Sequence, residues 1–370
     1  MTAESRMAAD AAGTPLPVPG VISGSDALDA DDTMERFAAR EKDAAGAVSY
    51  SIAIDRDACI RCGLCVSFCP TEVYALEDGE PRAVNPQWCW GCETCSGNCP
   101  RNAITIEVNP ESLAADDDHP RARLIDDETA ATYREWAQTL REVLQLRWHP
   151  VGVRLIRAGE PYPEGVQIPK ERMRYCQSML AARRGVSLLM PANRHSCPDG
   201  TSILGLTDVP PKLASGEIYL LFHKLDTREA ASRMVNERPM LEPHSMDATC
   251  VFPLDDPKAT ADVVSIVGNP EQMMWLSMAT SYYTGHRHDF HASGYNSHCV
   301  EVTLLPLTTK QINISFGCYG GRASTDVGDD MMMMGIPIEL MPDIVKGVRE
   351  LSKRVIPQER DKVYLPPMRG

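Results

Sequence analysis

Cys59-Ile60-Arg61-Cys62-Gly63-Leu64-Cys65-Val66-Ser67-Phe68-Cys69-Pro70 and Cys89-Trp90-Gly91-Cys92-Glu93-Thr94-Cys95-Ser96-Gly97-Asn98-Cys99-Pro100 are two near-copies of one pattern, C-x2-C-x2-C-x3-C-P. A cubane iron–sulfur cluster needs four thiolates converging on one centre. Three closely spaced cysteines in a tight loop reach three of its irons, and the fourth ligand must come from elsewhere. Zinc also binds C-x2-C pairs, but two repeated four-cysteine runs, each closed by proline, fit zinc ribbons poorly. Disulfides would call for an oxidising compartment, and the chain opens without the apolar segment of a secretory signal. Pro70 and Pro100 redirect the chain after the last cysteine of each run, since proline fixes φ and removes a donor.

From about Ser51 to Val108 the sequence resembles the bacterial-type two-cluster ferredoxins. The resemblance implies a small α+β module with pseudo-twofold symmetry, each half a strand, a cysteine loop and a short helix. It implies two [4Fe-4S] clusters, each taking its fourth ligand from the other copy. One set is then Cys59, Cys62, Cys65 and Cys99, and the other Cys89, Cys92, Cys95 and Cys69. Ile52–Ile54, Ala83–Asn85 and Ile104–Ile106 are the expected strands, with turns at Asp55 and Asn85–Pro86.

A length of 370 residues predicts two or three domains, and 43% hydrophobic content is enough for a sizeable core. The net charge of −14 argues against nucleic acid or an anionic membrane as the main partner. An acidic surface suits docking to a basic patch on a redox partner protein. No run of 18 apolar residues occurs, so no membrane insertion is expected. Thirteen cysteines without a signal peptide point to a reducing, cytoplasmic setting in which thiolates serve metals.

The chain divides into four parts. Residues 1–48 are rich in Ala, Asp, Gly and Pro and read as a disordered acidic tail, with a short helix at Met34–Lys42. Residues 49–108 are the cysteine-rich module. Residues 109–149 are a linker, with Asp116-Asp117-Asp118, and a packing helix capped by Asp126 or Asp127 and ended by His149-Pro150. Residues 150–370 form a larger mixed domain, α+β or α/β. Its expected strands are Val151–Ile156, Glu217–Phe222, Thr249–Leu254, Asp262–Val267 and a pair at Val300–Leu305 and Gln311–Phe316. Its expected helices are Arg174–Met190, Glu271–Tyr283 and one starting at Pro342, with Ile344, Val345, Val348, Leu351 and Val355 on its core face.

This second region carries Pro150-Val151-Gly152-Val153-Arg154, Tyr175-Cys176, Ser196-Cys197-Pro198-Asp199-Gly200, Gly317-Cys318 with Arg322, and Gly335-Ile336-Pro337. With these stretches it resembles, from about Pro150 to Ile356, the family called domain of unknown function 169. The resemblance implies no settled activity. It implies an anaerobic setting, in keeping with iron–sulfur clusters.

Five cysteines remain outside the repeat: Cys176, Cys197, Cys250, Cys299 and Cys318. A free cysteine is often a small buried hydrophobe. Cys197 and Cys318 stand out, because both sit in glycine-containing loops where backbone can approach a ligand. Arg322 could lower a nearby thiol's pKa or hold an anion. These three are the candidate catalytic residues. His286, His288 and His291, followed by His298, can bind a metal, but the reading preferred is a polar surface loop. Met331–Met334 reads as a buried loop. No nucleophile elbow, Walker A run, H-E-x-x-H or haem-attachment motif occurs. The sequence thus points to an iron–sulfur electron-transfer protein, an oxidoreductase or its subunit, passing single electrons to or from the C-terminal domain. The alternative is a non-catalytic ferredoxin whose C-terminal domain docks or senses.

Overall fold

The computed structural model describes the backbone of residues 21–23 and residues 50–89, 91–109, 118–222 and 224–353. The strand Val21–Ser23 (β1) lies within the stretch expected to be a disordered tail, and pairs antiparallel with Pro239–Leu241. The expected helix at Met34–Lys42, most of the acidic linker and the Val355 end of the last helix lie outside the described residues.

The N-terminal module repeats itself in its backbone as well as its sequence. β2 (Tyr50–Ile54) pairs antiparallel along its whole length with the strand Ile104–Val108. β3 (Tyr74–Glu77) and β4 (Glu80–Ala83) form a hairpin, and Ile104–Val108 is β5. The expected strand at Ala83–Asn85 therefore ends at Ala83. The amides of Val84 and Asn85 both donate to the Val73 carbonyl, which turns the chain toward the second cysteine run. Equivalent positions of the two runs take the same left-handed backbone: Arg61 and Gly91 (φ 57° and 57°), Gly63 and Glu93 (74° and 56°), Glu72 and Asn102 (57° and 50°). Short helices at Leu64–Phe68 and Thr94–Gly97 follow the loops. Non-glycine residues enter this region at a steric cost, so its recurrence marks a loop geometry imposed by what the loop must wrap.

The helix Asp127–Leu144 joins the module to the second domain. Asp126 caps it by accepting from the Thr129 amide at 2.7 Å. It ends at Leu144, before His149-Pro150, because Gln145 adopts a left-handed φ of 52° and closes the last turn. The remaining strands are β6 (Arg121–Ala122), β7 (Val151–Arg157), β8 (Tyr162–Pro163), β9 (Leu188–Pro191), β10 (Pro239–Leu241), β11 (Met246–Pro253), β12 (Val263–Gly268), β13 (Asn313–Ser315) and β14 (Met332–Pro337). Six of them form one sheet, ordered β13-β14-β12-β7-β11-β9, and every pairing in it is antiparallel. The second domain is thus α+β.

Both faces of this sheet are covered. On one face Ile156, Phe252, Val264 and Ile336 pack against the helices Asp127–Leu144, Pro270–Ser281 and Met341–Ser352. On the other, Val151, Val153, Leu155 and Val251 pack against Tyr175–Arg183 and the short helices between Pro198 and Leu221. Among the described residues no helix is long and apolar enough to cross a membrane.

Four local expectations are corrected. The helix expected over Arg174–Met190 spans Tyr175–Arg183. The chain then turns through Gly185 (φ 97°) into β9, whose four residues are all buried. Glu217–Leu221 is a helix, which buries Tyr219. Val300–Leu305 is no strand: most of it belongs to a π-helix, Ser297–Leu304, buried at all eight positions. Local β-propensity yields there to enclosure on every side, and β13 pairs with β14 instead. Met332–Met334, expected in a loop, open β14.

The π-helix sits directly on the sheet because Gly335 lets it. A Cβ at that position would lie 2.3 Å from the Val302 carbonyl oxygen and 2.6 Å from the Pro306 ring. The obstacle is backbone and cannot swing aside. Gly335→Ala is expected to lower unfolding free energy by about 3 kcal/mol, measured by chemical denaturation, with the π-helix and the residues it carries displaced.

Candidate functional site

The eight cysteines of the repeat line two separate cavities. The first is lined by Cys59, Cys62, Cys65 and Cys99, together with apolar residues such as Ile54 and Leu64. The second is lined by Cys69, Cys89, Cys92 and Cys95, beside Val73 and Tyr74. Each cavity takes three cysteines of one run and the last cysteine of the other.

The sulfurs act as hydrogen-bond acceptors in matched places. The Val73 amide donates to Cys69 Sγ at 3.3 Å, and the Ala103 amide to Cys99 Sγ at 3.3 Å. Gly91 donates to Cys89 Sγ at 3.4 Å, and the Tyr74 hydroxyl lies 3.2 Å from Cys95 Sγ. Burial pushes the Cys89 thiol up to about 12, and neighbouring Cys92, Cys95 and Cys69 push the same way. Burial likewise raises Cys95, to about 11, and Cys65. Left to themselves these thiols stay protonated at neutral pH; a bound cation deprotonates them outright. Among the described residues no three Cys, His, Asp or Glu side chains are drawn to the spacing of one bound ion. One tetrahedral zinc would hold its sulfurs within about 4 Å of each other, whereas a cubane spreads them over its corners. An all-sulfur donor set supplied with N–H donors fits an iron–sulfur cluster.

The cavities differ in surroundings. Cys62 is exposed, and Ile60 beside it is 54% exposed. Cys69, Cys89 and Cys95 are buried, and their cavity faces the second domain. There the Arg172 guanidinium stacks 4.4 Å from the Tyr50 ring, and its charge reaches Cys89 and Cys92. Arg172 Nε is held by the Asn193 carbonyl at 2.6 Å. Lys212 Nζ donates to the carbonyls of Val66 and Ser67 at 2.8 and 3.1 Å, and the rings of Phe68 and Phe222 lie 5.3 Å apart.

Beyond Arg172 lies a second group of thiols. Cys197 and Cys318, singled out from the sequence, are brought together, and Cys176 joins them. Composition alone does not distinguish Cys176 from a structural cysteine; its place in Tyr175-Cys176 is the sequence signal that does. All three are half-buried, whereas Cys299 is buried beneath them and Cys250 is enclosed within the sheet. Cys318 Sγ accepts from Ser297 Oγ and from the Gly321 amide, both at 3.2 Å. Burial raises Cys176 to about 12 and Cys197 to about 11, the latter pushed further by Asp199. Arg322 does not serve these thiols. Its guanidinium donates to the carbonyls of Phe316 (2.7 Å), Gly328 (2.8 Å) and Met331 (3.0 Å), and so pins the loop that follows Cys318. The nearby cation is Arg174, bonded to Ser324 Oγ at 2.8 Å.

Under the thiols runs a buried polar network. Asp199 is ion-paired with Arg238 and accepts from the Tyr219 hydroxyl at 2.6 Å and from Asn296 Nδ2 at 2.7 Å. Burial works to raise the Asp199 pKa, but Arg238 and the two hydrogen bonds outweigh it and hold the carboxyl below its usual value. Of the histidines, His286 and His291 are exposed and His288 is half-buried against Ser281 Oγ at 2.9 Å, as a polar surface loop requires. His298 is separate from them. It is buried in the π-helix, its Nδ1 lies 3.2 Å from Ser297 Oγ, and burial pushes its pKa down to about 3.

Comparison with known proteins agrees with both halves. The model of DUF169, described as an uncharacterised ArCR family, matches residues 139–347, and that of a 4Fe-4S dicluster domain matches residues 52–106. An uncharacterized protein of Methanocaldococcus jannaschii is 30% identical over 222 residues, which is 60% of this chain and 95% of that protein. An uncharacterized ferredoxin of the same organism is 38% identical over 64 residues, 16% of this chain and 83% of the ferredoxin. A ferredoxin of Thermococcus litoralis is 37% identical over 57 residues, 15% and 97% respectively. No solved structure matches.

The Asp199 network has a defined acid signature. Its carboxyl is held low, so it contributes stability above the unfolded aspartate value of about 3.9 and loses it as pH falls through the lower folded value. Asp199→Asn should remove that part of the acid-unfolding curve. Arg238→Met strands the buried charge and is expected to cost about 3–5 kcal/mol at neutral pH, measured by denaturant titration.

Proposed function

The chain belongs to the domain of unknown function 169 family and carries a 4Fe-4S dicluster domain ahead of it; from that premise we propose that it is a cytoplasmic iron–sulfur oxidoreductase, or the electron-transfer subunit of one, that exchanges single electrons between an external redox partner and its C-terminal domain. The observation that carries this reading is the pair of cavities, each lined by three cysteines of one run and the last of the other. Cys59, Cys62, Cys65 and Cys99 hold one [4Fe-4S] cluster, and Cys89, Cys92, Cys95 and Cys69 the other. When bound, the two clusters supply one-electron chemistry that side chains alone lack.

The protein's own residues set where that chemistry faces. The exposed Ile60–Cys62 stretch of the first cysteine loop is the side on which a redox partner docks. The buried second set faces Arg172, whose fixed positive charge favours the more reduced, more negative state there. The amides of Val73, Gly91 and Ala103 tune both sets through their bonds to sulfur. Cys197 and Cys318, in the domain beyond, are the reactive groups of the C-terminal site.

A second reading, in which the C-terminal domain docks a partner, is favoured by the exposed rings of Phe316 (55%) and Tyr319 (78%) flanking Cys318. Turnover separates the two. A reactive site loses activity on Cys197→Ser or Cys318→Ser with the N-terminal clusters intact; a docking domain keeps its electron transfer.

Electron paramagnetic resonance of the reduced chain tests the crossed ligation. Cys99→Ser is expected to perturb the same signal as Cys59→Ser, and Cys69→Ser the same signal as Cys89→Ser. Perturbation grouped by run instead, Cys69 with Cys59 and Cys99 with Cys89, would overturn it.

A further inference from the structure

We propose that Cys176, Cys197 and Cys318 hold a third iron–sulfur cluster through three protein thiolates, leaving its fourth iron to a non-protein ligand. The inference deepens the electron route just described, and rests on it only for the source of electrons.

The geometry gathers the three cysteines from three separate elements. Cys176 is the second residue of the helix Tyr175–Arg183, Cys197 precedes the helix Pro198–Ile203, and Cys318 precedes the helix Tyr319–Ser324. Contacts on both sides of Cys176 tie them together. A Cβ at Gly200, three residues after Cys197, would lie 3.9 Å from the Tyr175 Cβ and 3.8 Å from the Cys197 sulfur. The Arg174 side chain reaches Ser324 at 2.8 Å and passes 3.6 Å from where a Gly320 Cβ would stand. The three cysteine-bearing segments are thus packed against one another.

Their surroundings repeat those of the N-terminal cysteines. Cys318 Sγ accepts two hydrogen bonds, from Ser297 Oγ and the Gly321 amide, as Cys89 and Cys69 accept from the amides of Gly91 and Val73. Gly321 is needed for that approach: a Cβ there would stand 2.9 Å from Ser297 Oγ and 3.3 Å from Cys318 Sγ. Arg174 supplies positive charge beside Cys176 and Cys197, which suits an anionic cluster. Three ligands complete three corners of a cubane. All three cysteines are half-buried, and the exposed rings of Phe316 and Tyr319 flank Cys318, the side from which a non-protein ligand would reach a fourth iron. Binding replaces three S–H bonds by three Fe–S bonds and releases three protons.

The position also continues the route. Arg172, against the Cys69, Cys89, Cys92 and Cys95 cavity, and Cys176 are four residues apart, so their Cα atoms are separated by at most about 14 Å. The intervening segment is pinned, with Met173 donating to the Arg194 carbonyl at 3.0 Å and accepting from the Ser196 amide at 3.0 Å.

The test is iron and sulfide analysis of the full chain after anaerobic reconstitution, on wild type and on the triple variant Cys176→Ala/Cys197→Ala/Cys318→Ala. Three cubanes give about twelve irons in the wild type and about eight in the variant; equal iron in the two overturns the proposal. A Cys62→Ala/Cys92→Ala variant that keeps all its iron would instead count against the N-terminal reading, so the two failures are distinct. A measurement without substitution guards against a misfolded variant. In the loaded wild type Cys176, Cys197 and Cys318 should resist iodoacetamide, and become labelled once a chelator removes the iron. Labelling of the loaded protein, or protection that dithiothreitol but not the chelator relieves, overturns the proposal, the latter by revealing a disulfide.

Discussion

A buried thiol gives up its proton only to a partner that replaces the solvation of the charge. Thirteen cysteines are distributed through this chain, and burial raises the pKa of Cys65, Cys89, Cys95, Cys176 and Cys197 among them. Packing four such thiols around one cavity is unfavourable as anions and wasteful of core as neutral groups. Much of the N-terminal module follows from that constraint. Its loops adopt left-handed backbone at matched positions, amides turn toward sulfur, and short helices carry the third cysteine of each run and lead to the fourth, which lines the partner run's cavity.

The same constraint explains the seam between the two domains. Arg172 would be a costly residue to enclose were it not for the Tyr50 ring, the Asn193 carbonyl and the negative charge that the neighbouring cysteine set carries when metallated. Lys212 binds the last carbonyls of the helix Leu64–Phe68, where the helix dipole is negative. The module is therefore docked by its cysteine-bearing elements and not by an unrelated face. On the far side, the Asp199–Arg238–Tyr219–Asn296 network and the π-helix give Cys197 and Cys318 a rigid floor.

Much of this was legible in the sequence. The doubled cysteine run named its own chemistry through spacing, and the strands at Val151, Thr249 and Val263 were marked by mostly apolar runs suited to a sheet covered on both faces. A capping residue placed the start of one long helix, at Asp126. What escaped depends on contacts remote in sequence. The run from Val300 to Leu304 has the composition of a strand and becomes a π-helix because Gly335 opens a place for it on the sheet. Arg322 read as an anion holder because its three carbonyl partners lie in a loop that only the fold brings near. Cys176 looked like any buried cysteine until Cys197 and Cys318, distant along the chain, arrived beside it.

The central claim is that electrons come to rest on the side of the N-terminal module that faces the second domain. A one-electron reductive titration of the full chain, followed by electron paramagnetic resonance, tests it most directly, with each N-terminal signal identified by its response to a cysteine substitution in its own set. The account predicts that, within the N-terminal module, the signal tied to Cys69, Cys89, Cys92 and Cys95 appears at higher potential, and that Arg172→Gln lowers that potential while leaving the other set unchanged. Reduction of the Cys59, Cys62, Cys65 and Cys99 set first, with no response of either potential to Arg172→Gln, would contradict it.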